Sequence, residues 1–265
     1  MSAARLLKPH SWRGRIAFAL VGAALLVARD AAADDWVARG REVYIREGCI
    51  HCHSQYVRPH APLDIERWGP ATPLEQLMQQ RPPLPGNRRQ GPDLANVGNR
   101  RTAEWNRLHL QAPRTISPGS RMPSYAHLFA GGSDSDGEAL VAYLASLGAD
   151  TIPERLAQRA AWRPTGTDAI DRTKAAGLFA QLCAHCHGET GRGNGPLAAR
   201  LSVCPPDWSA GTWRHLAPGA DVERELARII KFGLPGSPMA GHEYLRDEEI
   251  LGLARIVRSW QESRR

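Results

Sequence analysis

Cys49-Ile50-His51-Cys52-His53 and Cys183-Ala184-His185-Cys186-His187 decide how this chain of 265 residues is read. Both are C-x-x-C-H. At that spacing two thiols of one turn can form thioethers to a porphyrin, while the adjacent histidine offers a ring nitrogen to its iron. The tether meets a physical need, because a small domain cannot hold a large planar cofactor by burial alone. The motifs predict one covalently bound haem c at Cys49, Cys52 and His53 and a second at Cys183, Cys186 and His187. His51 and His185, inside the motifs, then point away from iron. A zinc ribbon places its cysteine pairs about 15–20 residues apart, far closer than these. A thioredoxin-like pair needs βαβ surroundings, and a disulfide would leave the repeated trailing histidine unexplained.

Working outward, each motif is preceded by a helix-like segment, Trp36 to Glu47 and Ala169 to Leu182. Each half also closes on an amphipathic helix. Leu140, Tyr143, Leu144 and Leu147 fall at i, i+3, i+4 and i+7, and so do Ile250, Leu253, Ala254 and Val257. A middle helix is predicted over Val222 to Phe232, with Gly233 ending it, and Ala103 to Leu110 is its counterpart. No stretch alternates long enough to argue a sheet. The expectation is therefore two small all-helical domains, 34–148 and 168–265, joined by a linker over 149–167 whose prolines and glycine interrupt any periodicity. Within the first domain, Pro62 to Gln90 reads as an irregular, proline-rich surface insertion.

The second axial ligand decides what each iron can do. Methionine opposite histidine fills the site and raises the potential, which is the arrangement of an electron carrier. Of the four methionines, Met122 and Met239 lie in proline-flanked loops between the middle and closing helices of their halves, so they are the predicted ligands. His127 competes for the first iron, and His242 or Cys204 for the second. Cys204 otherwise reads as a packing thiol. Pro92, in Gly91-Pro92-Asp93-Leu94, is a candidate to accept the axial His53 Nδ1–H through its carbonyl, with Pro205 or Pro206 serving the second half; a plain turn is the alternative for both. No catalytic side chain is legible.

The N-terminus reads as an export signal. Arg5, Lys8, Arg13 and Arg15 precede an apolar run from Ile16 to Ala28, and Ala31-Ala32-Ala33 offers a cleavage site. A short membrane anchor over 1–33 is the alternative, although the run falls below the roughly 20 apolar residues that span a bilayer. Both place the body of the chain in the periplasm. The formal charge of +7 does not argue for nucleic acid: five of the basic side chains and one acid lie in residues 1–33, leaving +3, and no basic stripe with interleaved aromatics follows.

The first half is similar to the monohaem subunit (subunit II) of cbb3-type cytochrome oxidases. The resemblance covers residues 36–148. It rests on Gly40-Arg41-Glu42-Val43-Tyr44-Ile45-Arg46-Glu47-Gly48-Cys49, Cys52-His53-Ser54-Gln55, Val57-Arg58-Pro59, Gly91-Pro92-Asp93-Leu94, Trp105, Arg107, His109-Leu110, Pro113-Arg114 and Met122-Pro123-Ser124-Tyr125. It implies His53 and Met122 as iron ligands and a membrane haem–copper catalytic subunit as the electron acceptor. Tyr56 departs from the family, which usually has Met there. The apolar N-terminus is short for the family's anchor, and a second haem domain is fused behind the first. That second half, 168–262, resembles a class I cytochrome c, with Gly191-Arg192-Gly193-Asn194-Gly195-Pro196-Leu197 and Pro205-Pro206-Asp207-Trp208.

The expected fold is all-α, two class I cytochrome c-like domains in tandem. The expected function is periplasmic dihaem electron transfer in a respiratory chain, as a subunit of or donor to a cbb3-like haem–copper oxidase, with another cytochrome or redox protein as electron donor. Two alternatives stay open. One is a dihaem oxidoreductase, a peroxidase or thiosulfate-oxidising enzyme, for which Cys204 would be an unusual ligand. The other is the cytochrome subunit of a nitric oxide reductase.

Overall fold

The computed structural model describes residues 33–210 and 213–262. The predicted export signal therefore lies almost wholly outside the described residues. Among those described, no helix is long and apolar enough to cross a membrane, and no strand forms beyond an isolated bridge between Gly233 and Ala240.

The first domain opens on α1, described over 33–46. The insertion follows with α2 (Pro62–Trp68) and α3 (Leu74–Gln79), then α4 (Ala103–Gln111), α5 (Pro113–Ile116) and the closing α6 (Asp136–Ser146). The connecting segment holds α7 (Ile152–Ala161). The second domain holds α8 (Arg172–Leu182), α9 (Ala184–His187), α10 (Val222–Phe232) and α11 (Asp247–Glu262). Local chemistry sets several of these boundaries. Thr102, Ser135, Asp171 and Asp221 each accept a hydrogen bond from a backbone N–H of the first turn they precede, an N-cap worth about 1 kcal/mol. Gly233 ends α10 with a positive φ.

Each domain is built on one close helix crossing at a glycine. A Cβ on Gly40 of α1 would stand 2.0 Å from the Ala139 carbonyl oxygen of α6, and one on Gly252 of α11 would stand 2.6 Å from Ile170 and 3.2 Å from the Ala175 side chain of α8. The opening and closing helices thus meet backbone to backbone in the first half, while in the second Gly252 makes room for the Ile170 and Ala175 side chains. Val43, Tyr44, Leu140 and Leu144 fill the first core, and Phe179, Leu226, Ile250 and Leu253 the second. Burying an aliphatic or aromatic side chain of this size contributes about 1.5–3 kcal/mol.

Two segments are more ordered than their proline content suggests. The insertion carries α2 and α3, and it buries Leu77 and Leu84. Pro62 sits in the first turn of α2 and Pro73 caps α3, positions where the missing N–H costs no helical hydrogen bond. Arg41 of α1 ties the insertion down through the Arg81 and Pro82 carbonyls, at 2.8 and 2.9 Å. The connecting segment forms α7 for the same reason, with Pro153 in its first turn. Gln158 of α7 donates to the Glu66 carbonyl at 2.9 Å, laying the helix against the insertion.

Candidate haem site

In the first domain Gly48 ends α1 in the left-handed region, φ 69°, and Cys49 to His51 continue as one tight turn. This presents Cys49, Cys52 and His53 at the helix end. The chain then returns along the motif. Gly91 N–H donates to the Cys52 carbonyl at 2.8 Å and Leu94 N–H to the Ser54 carbonyl at 2.7 Å. That pairing brackets His53 and sets the Pro92 carbonyl 2.8 Å from its Nδ1. A carbonyl can only accept, so Nδ1 carries the proton and Nε2 keeps a free lone pair, the tautomer a metal-ligating histidine needs. Burial holds the His53 pKa below its ordinary value, against the opposing pull of the Pro92 hydrogen bond. Gly91 is obligatory here, since a Cβ would lie 2.3 Å from the His53 ring.

The second motif is held differently. Cys183 caps α8, and α9 carries Cys186 and His187. The returning segment pairs Gly193 N–H with the His187 carbonyl at 2.9 Å and Leu197 N–H with the His185 carbonyl at 2.9 Å. Neither Pro205 nor Pro206 reaches His187. His187 Nδ1 is buried with no hydrogen-bond partner among the described residues, and the ring instead stacks on Trp208 at 4.3 Å and 17°. The Pro205 carbonyl packs on Gly193, where a Cβ would approach to 2.2 Å. Burial pushes His187 down to about 4, so its ring stays neutral and able to ligate.

Met122 and Met239 sit in matching loops. Each backbone N–H donates to the hydroxyl of a serine two residues earlier, Ser120 and Ser237, both at 3.2 Å. Both methionines line the same cavity of about 890 Å³ as the four motif cysteines, His53 and His187. Cys204 and His242 also line it, whereas Met78 and His127 do not. Met78 is exposed, and His127 turns outward to Glu47 at 3.7 Å.

Arg100 and Asn106 also face this cavity, and sequence reasoning did not single them out. Arg100 is buried and its Nη2 donates to the Asp93 carbonyl at 2.5 Å, but its Nε, like Asn106 Nδ2, has no partner among the described residues. Burial lowers the guanidinium to about 9. A buried cation with an unused donor calls for an anion, yet a tandem Arg100-Arg101 before a helix cap looks ordinary in sequence.

The residues fit haem c. All four motif cysteines are free thiols, and burial pushes Cys49 and Cys183 up to about 12 and Cys186 to about 11, which disfavours the thiolate that zinc binding or disulfide exchange requires. No group of three or more metal-ligating side chains exists among the described residues. His53 and His187 are neutral, and the unused donors of Arg100 and Asn106 match the carboxylates of a porphyrin. Residues 36–138 match the family model described as cytochrome c oxidase, mono-heme subunit/FixO, and residues 171–255 that of cytochrome c oxidase, cbb3-type, subunit III.

The chain carries two cytochrome c-type domains in tandem. Cytochrome c domains transfer electrons through covalently bound haem c, and this tandem cytochrome c is all-helical apart from its turns and loops among the described residues. Among solved structures, the Kuenenia stuttgartiensis reducing HAO-like protein complex Kustc0457/Kustc0458 is 18% identical over 84% of this chain and 95% of that chain, with a TM-score of 0.31. A likeness at that level carries no argument about this tandem cytochrome c.

Proposed function

We propose that this protein is an exported two-haem electron carrier that passes electrons to a membrane haem–copper catalytic subunit of the cbb3 kind, as its subunit or its donor. The observation that carries the reading is that each C-x-x-C-H turn shares its cavity with a Ser-x-Met loop, Met122 in one half and Met239 in the other. Cys49 and Cys52 would hold one haem and Cys183 and Cys186 the other. His53 and Met122 are the proposed axial ligands of the first, and His187 and Met239 those of the second.

Bound haem c supplies a one-electron iron couple with no proton or atom transfer of its own. The protein's part is positioning. Pro92 fixes the His53 tautomer, Trp208 braces the His187 ring, Arg100 and Asn106 offer donors to porphyrin carboxylates, and the apolar walls exclude water. With methionine on both irons no coordination position is left for a substrate, as suits a carrier. The match of residues 36–138 to the monohaem oxidase subunit supports the choice of acceptor. Another cytochrome or redox protein is the proposed donor. The basic, apolar and alanine-rich segment over 1–33 supports export to the periplasm.

A second reading has one observation in its favour. Cys204 and His242 line the cavity together with Met239, and either on iron would make the second domain part of a dihaem oxidoreductase. Near-infrared absorption of the oxidised protein separates the two. A sulfur-to-iron band from both haems supports the carrier, and its absence from the second haem supports the enzyme. A nitric oxide reductase as acceptor would be recognised by co-purification with that catalytic subunit.

A further inference from the structure

One carboxylate joins the two domains. Glu243, between the Met239 loop and α11, is fully buried. Arg101 of the first domain donates to it at 2.9 Å and, from the same Nη2, to the Gly241 carbonyl at 2.8 Å. Arg155 of α7 donates to its other oxygen at 2.7 Å. Both guanidinium groups are nearly buried as well, with side-chain exposures of 10% and 6%. Arg155 lies over the Phe232 ring at 4.7 Å and Arg101 over Trp105 at 5.1 Å. A carboxylate withdrawn from water is tolerated only where its partners are in place, and here they come from two segments outside its own domain. Only one arrangement of the domains brings them together. Lys231 of α10 adds a further link, reaching Glu66 of α2 at 3.0 Å. An apolar contact alone would allow sliding, whereas these hydrogen bonds fix the register.

The register has a consequence for the haem sites. Cys52 and Met122 from one domain and Cys186 and Met239 from the other line a single cavity, and Arg101 lines it too. We infer that Glu243, held by Arg101 and Arg155, is a docking lock that keeps the two haem clefts open to each other, so that an electron crosses between the domains within one chain. One iron is oxidised from ferrous to ferric and the other is reduced from ferric to ferrous, with no proton or leaving group. The electron step rests on the proposal that both clefts hold haem; the lock itself does not.

The test uses the full-length holoprotein and the variants Glu243→Gln, Arg101→Gln and the double variant. Small-angle X-ray scattering and limited proteolysis of residues 149–167 read the docking. Magnetic dipolar coupling between the two ferric centres reads their proximity. Wild type is expected to be compact and coupled. Glu243→Gln is expected to scatter as a more extended chain, to be cleaved faster by about tenfold or more, and to lose the coupling while keeping its covalent haem. The double variant is expected to go little further than Glu243→Gln, because the two residues act as one unit. If Glu243→Gln fails to accumulate, Arg101→Gln, which leaves Arg155 on Glu243, reads the same change at smaller amplitude. Unchanged scattering and proteolysis in these variants would overturn the lock. Wild type with two haems but no coupling would overturn the electron path. A chain with fewer than two haems would strike the functional proposal instead, and scattering would still decide the lock.

Discussion

The Nδ1 of His53 stands 2.8 Å from the carbonyl oxygen of Pro92, and Gly91 lets it do so, because any side chain there would enter the ring's space. Gly91→Ala should therefore displace His53 and convert a large fraction of the first haem from low-spin to high-spin. Gly193→Ala, whose Cβ would strike the Pro205 carbonyl at 2.2 Å, should disturb only the second haem. Optical and electron paramagnetic spectra of the two variants read this directly; equal effects on both haems would refute the separate clamps.

The proposed methionine ligands give a second pair of outcomes. Met122→His and Met239→His should each keep their haem six-coordinate and lower its potential, because a second imidazole stabilises ferric iron more than a thioether does. Met78→His should change neither haem, since Met78 is exposed and outside the cavity. Cys204→Ser should leave the spectrum unaltered. Spectroelectrochemical titration checks all four, and a shift in the second haem's bands on replacing Cys204 would move that domain to the enzyme reading.

Arg100 brings a buried positive charge to the first cleft. Removing it in Arg100→Gln favours the ferric state, so the midpoint potential of the first haem should fall while the second stays in place. Arg100→Lys should restore part of the shift. No change in a variant that retains its haem would confine Arg100 to its bond with the Asp93 carbonyl.

The acid response of the domain junction follows from Glu243. Burial alone would raise its pKa, but Arg101, Arg100 and Arg155 hold it down to about 2. A carboxylate depressed on folding contributes stability that is full above its unfolded pKa of roughly 4.3 and lost as pH falls towards 2. Wild type should thus lose stability across that window more steeply than Glu243→Gln. At neutral pH the variant itself should be destabilised by about 3–5 kcal/mol, the cost of leaving buried cations unpaired. Denaturant unfolding at a series of pH values measures both, and parallel pH profiles would contradict it.

Periodicity and the repeated motif made the helical architecture legible, because a C-x-x-C-H turn at a helix end and a closing i, i+3, i+4, i+7 stripe are local features. Val222 to Phe232 was readable as a helix down to its ends, since Asp221 and Gly233 punctuate it. The insertion and α7 were not, because proline reads in a sequence as a helix breaker and here it starts them. Among site residues, the thiols and histidines announce themselves by spacing. Arg100, Asn106 and Glu243 do not, as burial and a missing or distant partner exist only in three dimensions. The same holds for the contrast between Pro92, which reaches His53, and Pro205 or Pro206, which leave His187 to Trp208.

The claim that each half carries its own haem is tested most directly by the intact mass of the denatured, purified protein, with a haem stain of the same material on a gel. The expected result is a chain beginning near Asp34 that carries two covalently attached haems. A mass with one haem, or with none, would contradict it.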